Sequence, residues 1–268
     1  MGRCDEMKSL QDRAAQSAQL LQSARYAVAL TGAGISTPSG IPDFRSAGSG
    51  LWAHSDPMYV CSIDTFRRRP QVFFDWLRPL LGAIRQAAPN PAHHALASLE
   101  AQGLLGAIIT QNIDDMHGRA GSRHVLEVHG SLRDAACVRC HALVPTESFV
   151  AKFLADGEIP QCPSCQGMLK PNIVLYGEML PETVFTQARE AAERCDVMIV
   201  AGSSLEVPPA SELPRTASWH GAHIIVVNRD PTYIDADADV VFREDVAEAL
   251  PLIAAACAAK NGGETRNP

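Results

Sequence analysis

The sequence predicts an α/β fold, a doubly wound parallel sheet that carries a smaller lobe. Three observations lead there. Short apolar runs recur along the chain, each long enough for a strand buried on both faces. Stretches with helical spacing separate those runs, and such alternation implies a parallel sheet covered on both sides. Two stretches, about 46–86 and 133–170, break the alternation and read as insertions into one domain.

The first element is an amphipathic helix over residues 5–23, where Leu10, Ala14, Ala18 and Leu21 recur near helical spacing. Tyr26-Ala27-Val28-Ala29-Leu30 reads as the first buried strand. It runs into Thr31-Gly32-Ala33-Gly34-Ile35-Ser36, and two glycines there let the backbone turn tightly and approach a pyrophosphate. A dinucleotide fingerprint wants a third glycine three residues on, where this chain has Thr37. Pro38, Gly40 and Pro42 argue against an immediate helix. The loop Gly40-Ile41-Pro42-Asp43-Phe44-Arg45-Ser46 then sets a carboxylate, an aromatic ring and a guanidinium side by side.

The first insertion is rich in aromatics (Trp52, Tyr59, Phe66, Phe73, Phe74, Trp76), and Gly48, Ser49 and Gly50 suggest a mobile segment at its start. A helix over 92–102 leads through Gly103 to the strand 106–110. His124–Val128 is the next strand, and Asp196–Ala201 and His223–Val227 are the clearest buried ones. Helical stretches fill 182–194 and 210–220. Ligands of such sheets bind beyond the carboxyl ends of the strands. Asn112, Asp114 and His129 all fall there. On position alone, His129 fits either a structural group or a base. The polar tail 261–268 reads as disordered.

Cys137-x-x-Cys140 and Cys162-x-x-Cys165 form two tight pairs, the spacing of a closed tetrahedral zinc site that is structural and not catalytic. The remaining four cysteines are scattered and read as free thiols. In 268 residues, 46% hydrophobic and 20% charged content describes a globular protein. A net charge of −7 argues against nonspecific nucleic-acid binding, and Arg67-Arg68-Arg69 reads as a solvated helix end. No apolar run reaches a membrane span and the polar start lacks a signal core, so the expected location is the cytoplasm.

Thr-Gly-Ala-Gly-Ile-Ser at 31–36 with Gly-Ile-Pro-Asp-Phe-Arg-Ser at 40–46 resembles the sirtuin (Sir2-type) family of NAD-dependent protein deacylases. Thr110-Gln111-Asn112-Ile113-Asp114, His129-Gly130, the paired cysteines, Gly202-Ser203-Ser204-Leu205 and Val226-Val227-Asn228 recur in the family's order, over about residues 10–250. The resemblance implies a Rossmann-like core (about 10–45, 87–132 and 171–258), a helical insert, a zinc module, and one catalytic domain over 1–260. It also implies that NAD is consumed as a co-substrate, with acetylated proteins as partners and one structural zinc ion. His129 would be the general base, Asn112 would position the ribose, and Asp114 would hold the nicotinamide carboxamide.

The NAD contacts implied are Gly32, Ala33, Gly34, Ile35, Thr37, Asp43, Phe44 and Arg45 from the first loops. Gln111 and Ile113 join Asn112, Asp114 and His129. Gly202, Ser203, Ser204, Asn228, Arg229, Asp230 and Val246 complete the adenosine side. The segment Lys170–Glu178 resembles the one that receives the substrate peptide, with Val174, Leu175, Tyr176, Gly177 and Glu178 as the implied contacts and Leu205 and Val207 opposite; an edge strand is the plainer reading and is compatible with it. Family members that prefer acidic acyl groups share a Tyr-x-x-Arg which Phe73–Arg78 lacks, so acetyl-lysine is the expected substrate. An ADP-ribosyltransferase, or a deacylase for longer acyl groups, is the alternative.

Overall fold

A computed structural model describes residues 9–43, 50 and 56–261. Phe44, Arg45, the glycine-rich start of the insert and the tail 262–268 lie outside the described residues. Among the described residues, nine strands form two sheets: β1 (Ala27–Thr31), β2 (Ala107–Thr110), β3 (Val125–Glu127), β4 (Gly130–Cys137), β5 (Leu143–Pro145), β6 (Leu169–Ile173), β7 (Val197–Ala201), β8 (His223–Val227) and β9 (Val240–Phe242). The larger sheet is parallel throughout, in the order β3-β2-β1-β7-β8-β9. Going outward from β1, the chain runs one way through β2 and β3 and the other way through β7 to β9. That is the doubly wound order, with its crevice between β1 and β7.

The sheet is buried on both faces because its strands alternate between two cores. Ala27 and Ala29 pack with Ala14, Leu21, Leu96 and Ile253 on one side. Val28 and Leu30 pack with Ala188, Met198 and Leu213 on the other. The first helix runs from Leu10 to Ser23 with Ser9 as its cap, and residues 5–8 of the expected range lie outside the described residues. Ser9 Oγ accepts from the Asp12 N–H at 3.1 Å, and the Asp12 carboxylate accepts from the Ser9 N–H at 3.2 Å. Glu182–Arg194 is helical over the expected range. Residues 210–220 instead open with a 3₁₀ turn (Ala210–Glu212) before the helix Leu213–Trp219. After the glycine loop the chain forms two 3₁₀ turns, Ala33–Ile35 and Thr37–Ser39, and no α-helix. Arg67 and Arg68 end a short helix and are exposed, as a solvated helix end requires.

The second sheet, order β5-β4-β6, is antiparallel. Its strand β4 starts one residue after His129 and ends on Cys137, the first cysteine of the cluster. The aromatic insert and the cysteine module share one core: Phe66, Phe73, Phe74 and Leu77 pack with Leu132, Val150, Phe153 and Ile173. Phe74 meets Phe153 edge-on, 5.5 Å between centroids. The two insertions therefore make one smaller lobe beside the parallel sheet. No helix of the described residues is long and apolar enough to cross a membrane.

Candidate active site

The crevice at the carboxyl ends of β1 and β7 opens into a cleft of about 1250 Å³ between sheet and small lobe. Its floor is the glycine loop. The Gly34 N–H donates to the Gly202 carbonyl at 2.8 Å, and the Gly32 N–H donates to the Ala201 carbonyl at 3.2 Å. Gly202 itself is left-handed (φ +59), and a Cβ there would lie 2.2 Å from the Ile35 nitrogen. Both objections are backbone ones, so no side chain can yield. Gly202→Ala is expected to destabilise the protein by about 2 kcal/mol or more, read as a lowered melting temperature. An unchanged melting temperature would contradict this close approach.

Asn112 and Asp114 follow β2 into the same cleft, both only 7% exposed. Asp114 Oδ2 accepts the Ser36 hydroxyl at 2.7 Å, and its Oδ1 accepts the Met116 N–H at 3.0 Å. Burial raises the Asp114 pKa, opposed by those two hydrogen bonds. Asn112 Nδ2 donates to Ser36 Oγ at 3.1 Å. The Ser36 hydroxyl thus ties both side chains to the glycine loop.

His129 lies in the two-residue turn between β3 and β4. Its Nδ1 is 3.0 Å from the Gln111 carbonyl, which can only accept, so Nδ1 carries the proton and Nε2 offers a lone pair. Burial lowers the His129 pKa, partly offset by that hydrogen bond. A neutral imidazole with an available Nε2 is the form a general base needs.

Two further histidines, which no motif marks as part of the site, pack behind these groups. His93 Nδ1 accepts the Asn90 N–H at 3.3 Å, and its Nε2 faces Ser36 Oγ at 3.4 Å. Thr31 donates to Thr110 at 2.9 Å and therefore accepts from His117 Nε2, also at 2.9 Å. His117 Nδ1 meets no partner among the described residues, so a second proton there would be unsatisfied. Burial pushes His93 down to about 4 and His117 down to about 3.

Below pH 6.5 the unfolded chain therefore binds protons that the folded chain refuses. Each histidine's contribution is complete above that pH and is lost as pH falls, by up to about 1.4 kcal/mol per pH unit. The denaturation midpoint is expected to drop between pH 6.5 and 4.5, with a shallower slope for His117→Gln. Equal slopes would remove His117 from the account.

The remaining sequence candidates divide. Ala33, Asp43, Gln111, Ile113, Ser203, Ser204, Asn228 and Asp230 line the cleft. So do Val174, Leu175, Tyr176, Gly177, Glu178 and, opposite, Val207. Gly32, Ile35, Thr37 and Leu205 lie just behind that surface, in the loops that shape it. Arg229 is exposed and pairs with Asp245, and Val246 is 6% exposed in the sheet's core; neither lines the cleft. The edge-strand reading fits Leu169–Ile173, while Val174–Glu178 leaves the sheet. There the Val174 N–H donates to the His129 carbonyl and the Tyr176 N–H to the Cys61 carbonyl, both at 2.9 Å. Arg78, the lone cation of Phe73–Arg78, turns away and donates to the Leu154 and Ala155 carbonyls.

The four cysteine sulfurs lie within 4.8 Å of one another, with Cys137–Cys165 at 3.4 Å and Cys140–Cys162 at 3.7 Å. Four sulfurs about 2.3 Å from one zinc ion would sit about 3.8 Å apart. The Arg139 and Cys140 N–H groups both donate to Cys137 Sγ, as suits a thiolate ligand. The donor set fits zinc, with every tetrahedral position filled by protein.

The model of the Sir2 family matches residues 32–209. The chain belongs to the Sir2 family. An NAD-dependent protein deacylase of Archaeoglobus fulgidus is 45% identical over 245 residues, 91% of this Sir2 chain and 96% of its relative. An NAD-dependent protein deacetylase of Geobacillus kaustophilus is 42% identical, over 84% and 90%. Among solved structures, a Sir2 histidine-to-alanine variant with deacetylated p53 peptide and 3'-O-acetyl ADP-ribose superposes with a TM-score of 0.84. It shares 40% identity, covering 89% of this Sir2 chain and 96% of the other.

Proposed function

We propose that this protein is an NAD-dependent protein lysine deacetylase, which moves the acetyl group from lysine to ADP-ribose and releases nicotinamide. The observation that carries the reading is one cleft holding the glycine floor, the Asn112–Asp114 pair, the free Nε2 of His129 and an extended segment at 174–178. The dinucleotide lies along the crevice between β1 and β7. Asp114 accepts from the nicotinamide carboxamide with the acceptor capacity that Ser36 and Met116 leave it. Asn112 orients the ribose. The acetyl-lysine carbonyl oxygen attacks the anomeric carbon as nicotinamide departs. His129 Nε2 then takes a proton from a ribose hydroxyl, which closes on the alkylimidate; departure of the lysine amine and addition of one water give free lysine and O-acetyl-ADP-ribose. Phe44 and Arg45 are assigned to water exclusion and a phosphate, and Arg229 and Val246 to the adenosine side.

Residues 1–260 are read as one catalytic unit, with acetylated proteins as substrates and the cytoplasm as its place of action. The four cysteines hold one zinc ion, which keeps their module folded and takes no part in the chemistry. A second reading, longer apolar acyl groups, is favoured by the cleft wall that Ile41, Trp76, Leu80 and Ile84 build. With Arg78 turned away and Arg85 paired with Glu147, neither cation of the helix Pro70–Gln86 meets a distal carboxylate.

The test is nicotinamide release from NAD with and without an acetyl-lysine peptide, with the acyl product identified. Peptide-dependent release yielding O-acetyl-ADP-ribose is the expected result. Equal release without peptide would replace the reading with a glycohydrolase or ADP-ribosyltransferase. Parallel assays on decanoyl and succinyl peptides address the acyl group, and only the former is expected to react.

A further inference from the structure

Between the loop that carries Asp114 and the turn that carries His129 lies an ion-pair cluster without a part in the chemistry above. Arg133 donates to Asp115 Oδ1 at 2.6 Å and to Glu127 Oε1 at 2.7 Å, and its second terminal nitrogen reaches Glu127 Oε2. Asp115 adjoins Asp114, and Glu127 stands two residues before His129. One guanidinium therefore joins both catalytic segments.

The backbone around it is irregular in a way that demands such a tie. On β4, Gly130 pairs with Ile173 and the next pair is Ala135 with Pro171, so residues 131–134 bulge out of the ladder. Arg133 sits in that bulge. The Leu132 N–H leaves its own sheet and donates to the Ile113 carbonyl at 3.2 Å, stitching the bulge to the Asn112–Asp114 loop. Asp115 is left-handed (φ +60), and Gly118 has no Cβ because one would lie 2.8 Å from the Asp115 carboxylate. Glu127 is largely buried, its side chain 15% exposed, whereas Arg133 is 52% exposed.

We propose that Arg133 is a positioning residue: by bridging Asp115 and Glu127 it holds the Asp114 carboxylate and the His129 imidazole at their working separation. With its cation half-exposed the cluster adds little to stability, and a Glu127 left unpaired can take up a proton, whereas displacing a reacting group by about 1 Å costs up to about 100-fold in rate. The signature is thus a large effect on turnover with little effect on folding.

This inference rests on the deacetylase reading, and the experiment separates the two. Arg133→Met, Arg133→Lys, Asp115→Asn and the double variant R133M/D115N are compared with the zinc-loaded parent, in acetyl-peptide deacetylation and in peptide-free NAD cleavage. Expected is a fall in kcat of about tenfold for R133M. Its peptide KM and melting temperature stay unchanged, R133K recovers part of the loss, and the double variant loses no more than R133M alone. A kcat within twofold of the parent overturns the proposal. So does a loss that tracks the melting temperature, or one that adds fully in the double variant. A parent that cleaves NAD but transfers no acetyl group overturns the deacetylase reading, while the same variants still test the bridge on NAD cleavage.

Discussion

Replacing His129 with alanine is expected to lower deacetylation by about 10²- to 10⁴-fold, with melting temperature and zinc content kept. The basis is the tautomer: the Gln111 carbonyl fixes the proton on Nδ1, leaving Nε2 as the acceptor. The imidazole must be neutral to act, so the rate rises with pH as His129 deprotonates. Burial lowers its pKa, which places that limb below the ordinary histidine value near 6.5. A pH profile of kcat/KM should show the limb in the parent and lose it in the variant. More than a tenth of the parent activity in His129→Ala would assign the base elsewhere.

The second large effect is loss of zinc. Cys162→Ser, or exhaustive chelation, is expected to unfold the cysteine module and abolish activity. The buried cluster of that module is Ala135, Cys137, Val144, Cys162 and Leu169, and two of the five are metal ligands. Val150 and Phe153 stay packed on the aromatic insert, but little apolar core is left around the cysteines once the metal goes. Binding of a structural zinc is worth about 10–16 kcal/mol at neutral pH, comparable with the whole stability of a domain. β4 runs directly from the His129-Gly130 junction to Cys137, so disorder in the module reaches His129 along one strand. Metal content by atomic absorption, circular dichroism and activity would be measured on one sample. A metal-free protein that stays folded and active would refute the structural role.

Much of the fold was legible because its central strands are unambiguous. Val28 to Leu30, Val197 to Ala201 and Ile224 to Val227 are apolar runs buried on both faces, and helices separate them. β4 escaped notice for the opposite reason. Gly-Ser-Leu-Arg-Asp-Ala-Ala-Cys has neither an apolar run nor clean alternation, since its residues serve a bulge, an ion pair and a metal ligand. The last helix, Val246–Asn261, carries Pro251, which obscures its start.

At the site, motifs contained within a few residues could be read directly: the glycine loop, Asn112–Asp114, His129 and the cysteine pairs. Ser36, His93 and His117 could not, because their meaning lies in hydrogen bonds between residues 57 to 86 positions apart. A capping pattern at Asn90-Pro91 was available in the sequence and marks where His93 enters, but nothing local points it toward Ser36.

The position of β1 bears on how the chain reaches this state. Ala27 lies opposite Val197, and the Gly34–Gly202 contact closes only when that late strand arrives. Until a ribosome has released β7, the strand at the centre of the finished sheet is an exposed apolar edge, open to pairing with other chains. The nucleotide cradle is thus among the last parts to assemble, and the growing chain is most vulnerable to aggregation while its first two thirds wait for the rest.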